Sequence, residues 1–267
     1  MNNFRLYFRY LGLSVRSQME CRASFVMLVL GHFVATGSEV LGIWALFARF
    51  KSLAGWRLEE IALFYGLIGV AFAIAEGSGR GFDVFDWMVR AGDFDRLLLR
   101  PRSTVLQVAA QELSRMRLGR FTQALIVLLW AANALTVQWS LPKIGLALFA
   151  ILGGACLFYG LFVLQATLCF WTTESLELMN TVTYGGTETG QYPLSLYRPW
   201  FRRFFAYVVP LACVSYFPVL ALLGRDDPVV GSPEWFRWVA PLTGVLFLTV
   251  CLQVWQVGVR HYRSTGS

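Results

Sequence analysis

Charge is scarce in this chain. Of its 267 residues, 15% are Asp, Glu, Lys or Arg, against roughly 25% in an ordinary soluble domain. There are two histidines, His32 and His261, at opposite ends of the sequence. The five cysteines are scattered singly with no CxxC pair, which argues against both a zinc site and a disulfide framework. No HExxH, GxSxG or GxxxxGK[ST] pattern occurs. The sequence therefore offers no metalloprotease helix, no nucleophile elbow and no nucleotide-binding P-loop of its own. No catalytic constellation and no metal site is expected. The first 22 residues alternate Arg with apolar residues and lack the continuous apolar core of a cleavable signal.

What is abundant is apolar. Hydrophobic residues make up 57% of the chain, with 22 Phe, 10 Trp and 10 Tyr. The net charge is +7, and all but two of the 23 basic residues are Arg. Such a balance would bind nucleic acid only from a soluble surface. Here the Arg residues stand between apolar runs, where they orient a membrane protein, so no nucleic-acid partner is expected.

A membrane-spanning helix needs about 20 mostly apolar residues. Six stretches meet that length, at about 24–47, 61–78, 118–137, 144–171, 204–223 and 238–259. The expected fold is all-α: a single polytopic six-helix transmembrane domain over 1–267. With the N-terminus inside, the inner segments and loops carry 17 Lys and Arg and the outer loops six. That bias places both termini in the cytoplasm. Ahead of the first span, Phe4, Phe8, Leu11, Val15 and Met19 share one helical face, with Arg5, Arg9 and Arg16 beside it. This pattern predicts an interfacial helix over 1–22 on membrane lipid, or one packed partly against the bundle.

The connection between the second and third stretches is the most informative. Gly92 ends one short helix, Asp93 is placed to cap the next, and Pro101 stops it. Leu97, Leu98 and Leu99 would otherwise lie exposed on a loop. A short helix, both charged and apolar, suits a groove on another protein.

The run Gly92-Asp93-Phe94-Asp95-Arg96-Leu97-Leu98-Leu99-Arg100-Pro101 resembles the coupling segment of ABC-2-type exporter permeases, and within these the bacterial permeases that pair with daunorubicin-resistance-type ATPases. Two further stretches agree. One runs from Trp171 to Ser175 and on to Tyr192–Tyr197, Val209-Pro210 and Tyr216-Phe217-Pro218. The other is the tail from Trp255 to Ser267. The resemblance implies a subunit of the inner (plasma) membrane that pairs with a second permease, a copy or a paralogue. It also implies a separate ABC ATPase that binds ATP and Mg, so no cofactor is expected in this chain. The residues Asp93, Phe94, Asp95, Arg96, Leu97, Leu98, Leu99 and Arg100 would receive the ATPase's push, and transport would be outward. A non-transporting scaffold that recruits a cytoplasmic ATPase is the alternative.

Ionisable groups inside apolar runs usually face a bundle interior or a water-filled path. His32, Thr36 and Glu39 fall on one helix face in the first stretch, as a pathway lining, a permease contact or an interhelical hydrogen-bonding set. Glu76 is expected to pair with Arg80 one turn on. Gln165 is expected to bond a neighbouring helix. The polar stretch Glu174 to Arg203 is expected as a cytoplasmic loop, a second contact with the ATPase.

Overall fold

The computed structural model describes residues 22–111, 118–172 and 176–262. The expected interfacial segment up to residue 21 and the tail from residue 263 lie outside the described residues. Every named element is a helix, as expected for a chain that must satisfy its backbone hydrogen bonds internally within lipid.

In chain order the helices are α1 (Arg22–Arg49), α2 (Leu58–Asp83), α3 (Phe85–Arg90), α4 (Asp93–Leu98), α5 (Thr104–Ala109), α6 (Leu118–Ala134), α7 (Leu141–Leu168) and α8 (Leu176–Gly190). There follow α9 (Pro199–Arg203), which runs on as a π-turn through Phe204–Val208, α10 (Leu211–Val214), α11 (Tyr216–Leu223), α12 (Glu234–Val239) and α13 (Leu242–His261). Among the described residues, three helical stretches are long and apolar enough to cross a membrane: Leu58–Arg90, Leu141–Leu168 and Leu242–His261. α6 is apolar but shorter, with 17 residues. The 28 residues of α1 reach about 42 Å at 1.5 Å per residue.

α2 is the central mast, buried from Glu60 almost continuously to Phe82. Its first turn is tied by Glu60, which accepts the Arg57 backbone N–H at 2.8 Å. α6 runs antiparallel to it, with Leu128 against Gly66 and Ala124 against Gly69. α7 descends from the Glu60 end to the Asp83 end, setting Gly154 on Ala71 and Phe158 edge-on to Phe72. α13 runs parallel to α7. The two cross where Gly244 lies on the Gly153 carbonyl, so tightly that a Cβ on Gly244 would overlap that oxygen. Only a residue without a side chain permits this backbone approach. The core has two halves. Trp56, Phe64, Tyr216 and Phe217 fill the Glu60 half. Phe72, Phe82, Phe85, Phe94, Phe158, Phe162 and Trp255 fill the Asp83 half.

The expected loop 174–203 is instead a passage through the protein. α8 begins at the Asp83 end, where the Gln165 amide donates to Asn180 at 3.0 Å. Gly190 at its far end packs on Ile68. Beyond it, Ser195 accepts the Trp56 indole N–H at 3.0 Å, at the Glu60 end. The polar residues of α8 do not prevent this. Thr183, Thr187, Thr189 and Gln191 are buried, and the Thr187 and Thr189 hydroxyls donate to the carbonyls of Thr183 and Gly185 one turn back. A threonine bonded to its own helix costs little in an apolar interior.

The expected fifth span, 204–223, is not one straight helix. Its two halves are bent by 73°. Val209 is extended and Pro210 follows it; proline has no N–H to carry the helix through. Arg202 and Arg203 at the start adjoin Val229 and Val230 of the following loop. The turn reaches Leu211 and Val214, at the level of Ile68 and Ala71 midway along α2. The chain then returns to Arg225, whose guanidinium pairs with Glu60 at 2.9 Å. Residues 199–223 thus form a hairpin that enters and leaves at the Glu60 end. Among the described residues, α2, α6, α7, α8 and α13 run between the two ends, and α1 lies alongside with Glu39 bonded to Tyr65 of α2.

Candidate coupling surface and buried polar network

At the Asp83 end α3, α4 and α5 form a short cap beneath the bundle. Gly92 separates α3 from α4 with φ of +71°, a left-handed conformation that favours glycine. Its N–H donates to the Val89 carbonyl at 3.2 Å, closing α3. Asp93 is the first helical residue of α4, one position later than the expected cap, and makes no capping bond. Its charge still suits a helix N-terminus.

α4 presents two unlike faces. Inward, Phe94 and Leu97 are buried. Phe94 is edge-on to Phe85 at 5.0 Å between centroids and to Tyr262 at 5.0 Å, and it also packs on Phe170 at 5.5 Å. Trp255 joins the same cluster at 5.0 Å from Phe85 and 5.3 Å from Phe82, and its indole N–H donates to Thr104 of α5 at 3.0 Å. Gln107 of α5 donates to the Leu97 carbonyl at 3.2 Å. One small helix is thereby fastened to the ends of α2, α7 and α13. Burial and the neighbouring Asp95 carboxylate push the Tyr262 phenol up to about 12.

Outward, Leu99 is 85% exposed and Leu98 40%. Arg100 is exposed too, and Arg96 is exposed beside Asp93, 3.3 Å away. An ion pair so open to solvent contributes little. Trp87 of α3 and Leu106 of α5 extend the exposed apolar area. Of the three leucines expected to be exposed, Leu97 is the exception. The i, i+3 spacing from Phe94 puts it on the inner face.

A second group of polar residues centres on the buried Glu76, with Glu39 of α1 at its exposed edge. Glu76 is wholly buried, 3.7 Å from Arg120 of α6, and accepts the Tyr184 hydroxyl of α8 at 3.3 Å. The expected Glu76–Arg80 pair is absent because Arg80 pairs with Asp83 on the same helix. Asp83 also accepts from Tyr184 and from Gln165, each at 3.5 Å. The Arg120 guanidinium lies 5.4 Å above the Phe72 ring. Nearer the middle, Glu39 of α1 accepts the Tyr65 hydroxyl at 3.3 Å, and Gln123 donates to Tyr65 at 3.4 Å. His32 and Thr36 lie on α1, but their side chains fall outside those described.

Arg120, Tyr65, Tyr184 and Asn180 complete the network, and sequence reasoning did not single them out. The available signal was Arg120 itself, a cation two residues inside an apolar run. Glu174 lies outside the described residues, as does the side chain of Glu177.

Packed apolar helices, a buried polar network and a braced helix with an exposed apolar face define a polytopic membrane protein of the transporter kind. The family match is specific: residues 33–266 match the family model described as "ABC-2 family transporter protein". The chain belongs to that family, and is a membrane component of an ABC transporter. Permeases of this family typically work with ABC ATPases. No curated protein and no solved structure matches the chain.

Proposed function

We propose that this chain is the permease subunit of an ABC exporter, coupling ATP hydrolysis in a separate ATPase to outward transport of a substrate. The observation that carries this reading is the two-faced α4. Phe94 and Leu97 are locked into the core, Phe94 against the rings of Phe85, Phe170, Trp255 and Tyr262 at the ends of the long helices, while Leu98, Leu99 and Arg96 face out. A push on the outer face cannot be absorbed locally. It moves three helices together, which is the requirement for switching between two rigid packings. The groove receiving α4 would be apolar with an acidic rim, matching the leucines and Arg96, Arg100 and Arg102.

In this reading the Asp83 end is cytoplasmic, both termini lie inside, and α1, α2, α6, α7, α8 and α13 cross the plasma membrane. Placing Arg198, Arg202 and Arg203 at the other end narrows the charge bias from 17 against six to 14 against nine. It retains its sign. α1 exposes Met27, Val34, Leu41 and Trp44, a surface for lipid or for a second permease, copy or paralogue. Glu39 on that helix belongs to the path or to this contact, with His32 and Thr36 on the same face.

Affinity purification of the tagged chain in mild detergent, followed by mass spectrometry, tests the assignment. A stoichiometric P-loop ATPase is expected, and Leu99→Asp should abolish its recovery. Isolation of the wild-type chain alone, under conditions that keep other ABC complexes together, would refute the reading. A recovered ATPase whose rate responds to no substrate in the reconstituted complex would favour the scaffold instead.

A further inference from the structure

The hairpin at the Glu60 end carries charge that the protein leaves unbalanced. Arg198, Arg202 and Arg203 occur within six residues at the start of its first arm. Arg198 precedes α9 in an extended conformation and Arg202 and Arg203 stand in its last turn, so three like charges gather about one short helix. Among the described residues none of the three arginines has an ion pair or a side-chain hydrogen bond. Of the carboxylates at this end, Asp226 is exposed and makes no ion pair with the three arginines, and Glu60 and Asp227 are already committed. Glu60 holds Arg225. Asp227 accepts from the backbone N–H groups of Val229, Val230 and Ser232 and from the Tyr216 hydroxyl.

Arg202 and Arg203 line a cleft of about 370 Å³, whose other walls include Leu194, Ala206, Tyr207 and Val229. That volume lies in the range of small-ligand sites. Beside it Trp200 is 68% exposed and Tyr207 73%, and exposed aromatics of this kind sit at the level of lipid headgroups. The cleft therefore joins cations to an apolar wall at a membrane surface. It needs an anion with an attached hydrocarbon chain.

We propose that this hairpin binds the phosphate of an anionic phospholipid through Arg202 and Arg203 of the cleft, with Arg198 adding positive charge beside it, and with Tyr207 and Val229 against the glycerol and upper acyl chain. Guanidinium groups pair with phosphate oxygens two at a time, which relieves the repulsion between the arginines. The site depends on the hairpin lying at a membrane surface, and not on which ATPase drives the protein.

The test is native mass spectrometry of the full-length chain in detergent, titrated with phosphatidylglycerol or phosphatidylcholine. The wild type is expected to retain phosphatidylglycerol with a preference of about tenfold or more, from roughly fivefold per arginine. The triple variant Arg198→Gln/Arg202→Gln/Arg203→Gln should lose that preference, while Arg49→Gln, a basic residue at the same end, should keep it. The single variant Arg203→Gln, at an exposed position that does not threaten folding, should weaken retention about fivefold. Unchanged retention in Arg203→Gln would overturn the proposal. So would displacement of the lipid by millimolar inorganic phosphate, which would show a free-anion site.

Discussion

Phe94 of α4 meets Phe85 of α3 edge-on, with centroids 5.0 Å apart and planes at 85°. This contact begins an aromatic chain through Phe170 and Trp255 to the ends of three long helices. It joins α4, with its exposed Leu98 and Leu99, to the body of the bundle, and it separates residues that hold α4 from residues that meet a partner.

The two groups should respond oppositely to mutation. Phe94→Ala removes a fully buried ring and is expected to cost about 3–5 kcal/mol of stability, read as a lower thermal midpoint in detergent. Leu99→Asp changes an exposed position and should leave that midpoint within about 0.5 kcal/mol, while transport is lost together with the bound ATPase. Normal coupling in Leu99→Asp would remove α4 from its assigned role.

Glu76 and Arg120 approach to 3.7 Å with the carboxylate wholly buried. Removing one partner strands the other charge in the interior. Arg120→Met should therefore destabilise by about 3–5 kcal/mol, whereas Glu76→Gln/Arg120→Met together should recover much of that loss. Denaturant titration of the single and double variants checks the coupling. Additive losses would mean that the pair does not act as a unit.

Asp227 governs a pH effect in the Arg225–Arg237 loop. Burial alone would raise its carboxyl, but hydrogen bonds from Ser232, Val229 and Val230 outweigh it and hold the group below the usual carboxylate range. A depressed folded pKa gives stabilisation that is complete above the unfolded value of about 3.9 and disappears as pH falls through the folded one. Asp227→Asn should accordingly lower the thermal midpoint at pH 7, with the gap from wild type closing below about pH 4. A gap that stays constant down to pH 2.5 would contradict this account.

The hairpin predicts a labelling pattern. In a cysteine-free background, Trp200→Cys and Arg57→Cys should react with a membrane-impermeant maleimide from one side of the membrane, and Arg100→Cys from the other. A straight span at 204–223 with a loop at 174–203 predicts instead that Trp200→Cys sides with Arg100→Cys.

The sequence by itself determined the membrane class, most helix positions and the site of the short helix α4. Apolar runs long enough for a bilayer leave a chain few structures other than helices, and Gly92 and Pro101 delimit α4 whatever surrounds it. Gln165 was correctly expected to bond a neighbouring helix, because a buried amide must find a partner. The tertiary structure decided which helix makes the fifth passage. Hydropathy assumes that each residue meets lipid, but α8 is shielded by α2 and α7, so its threonines are tolerated. Residues 204–223 are apolar enough for a span, yet Pro210 turns them back. The partner of Glu76 was likewise beyond reach in sequence: Arg80 is one turn away along the helix, but Asp83 takes it, and only the packing of α6 against α2 brings Arg120 into place.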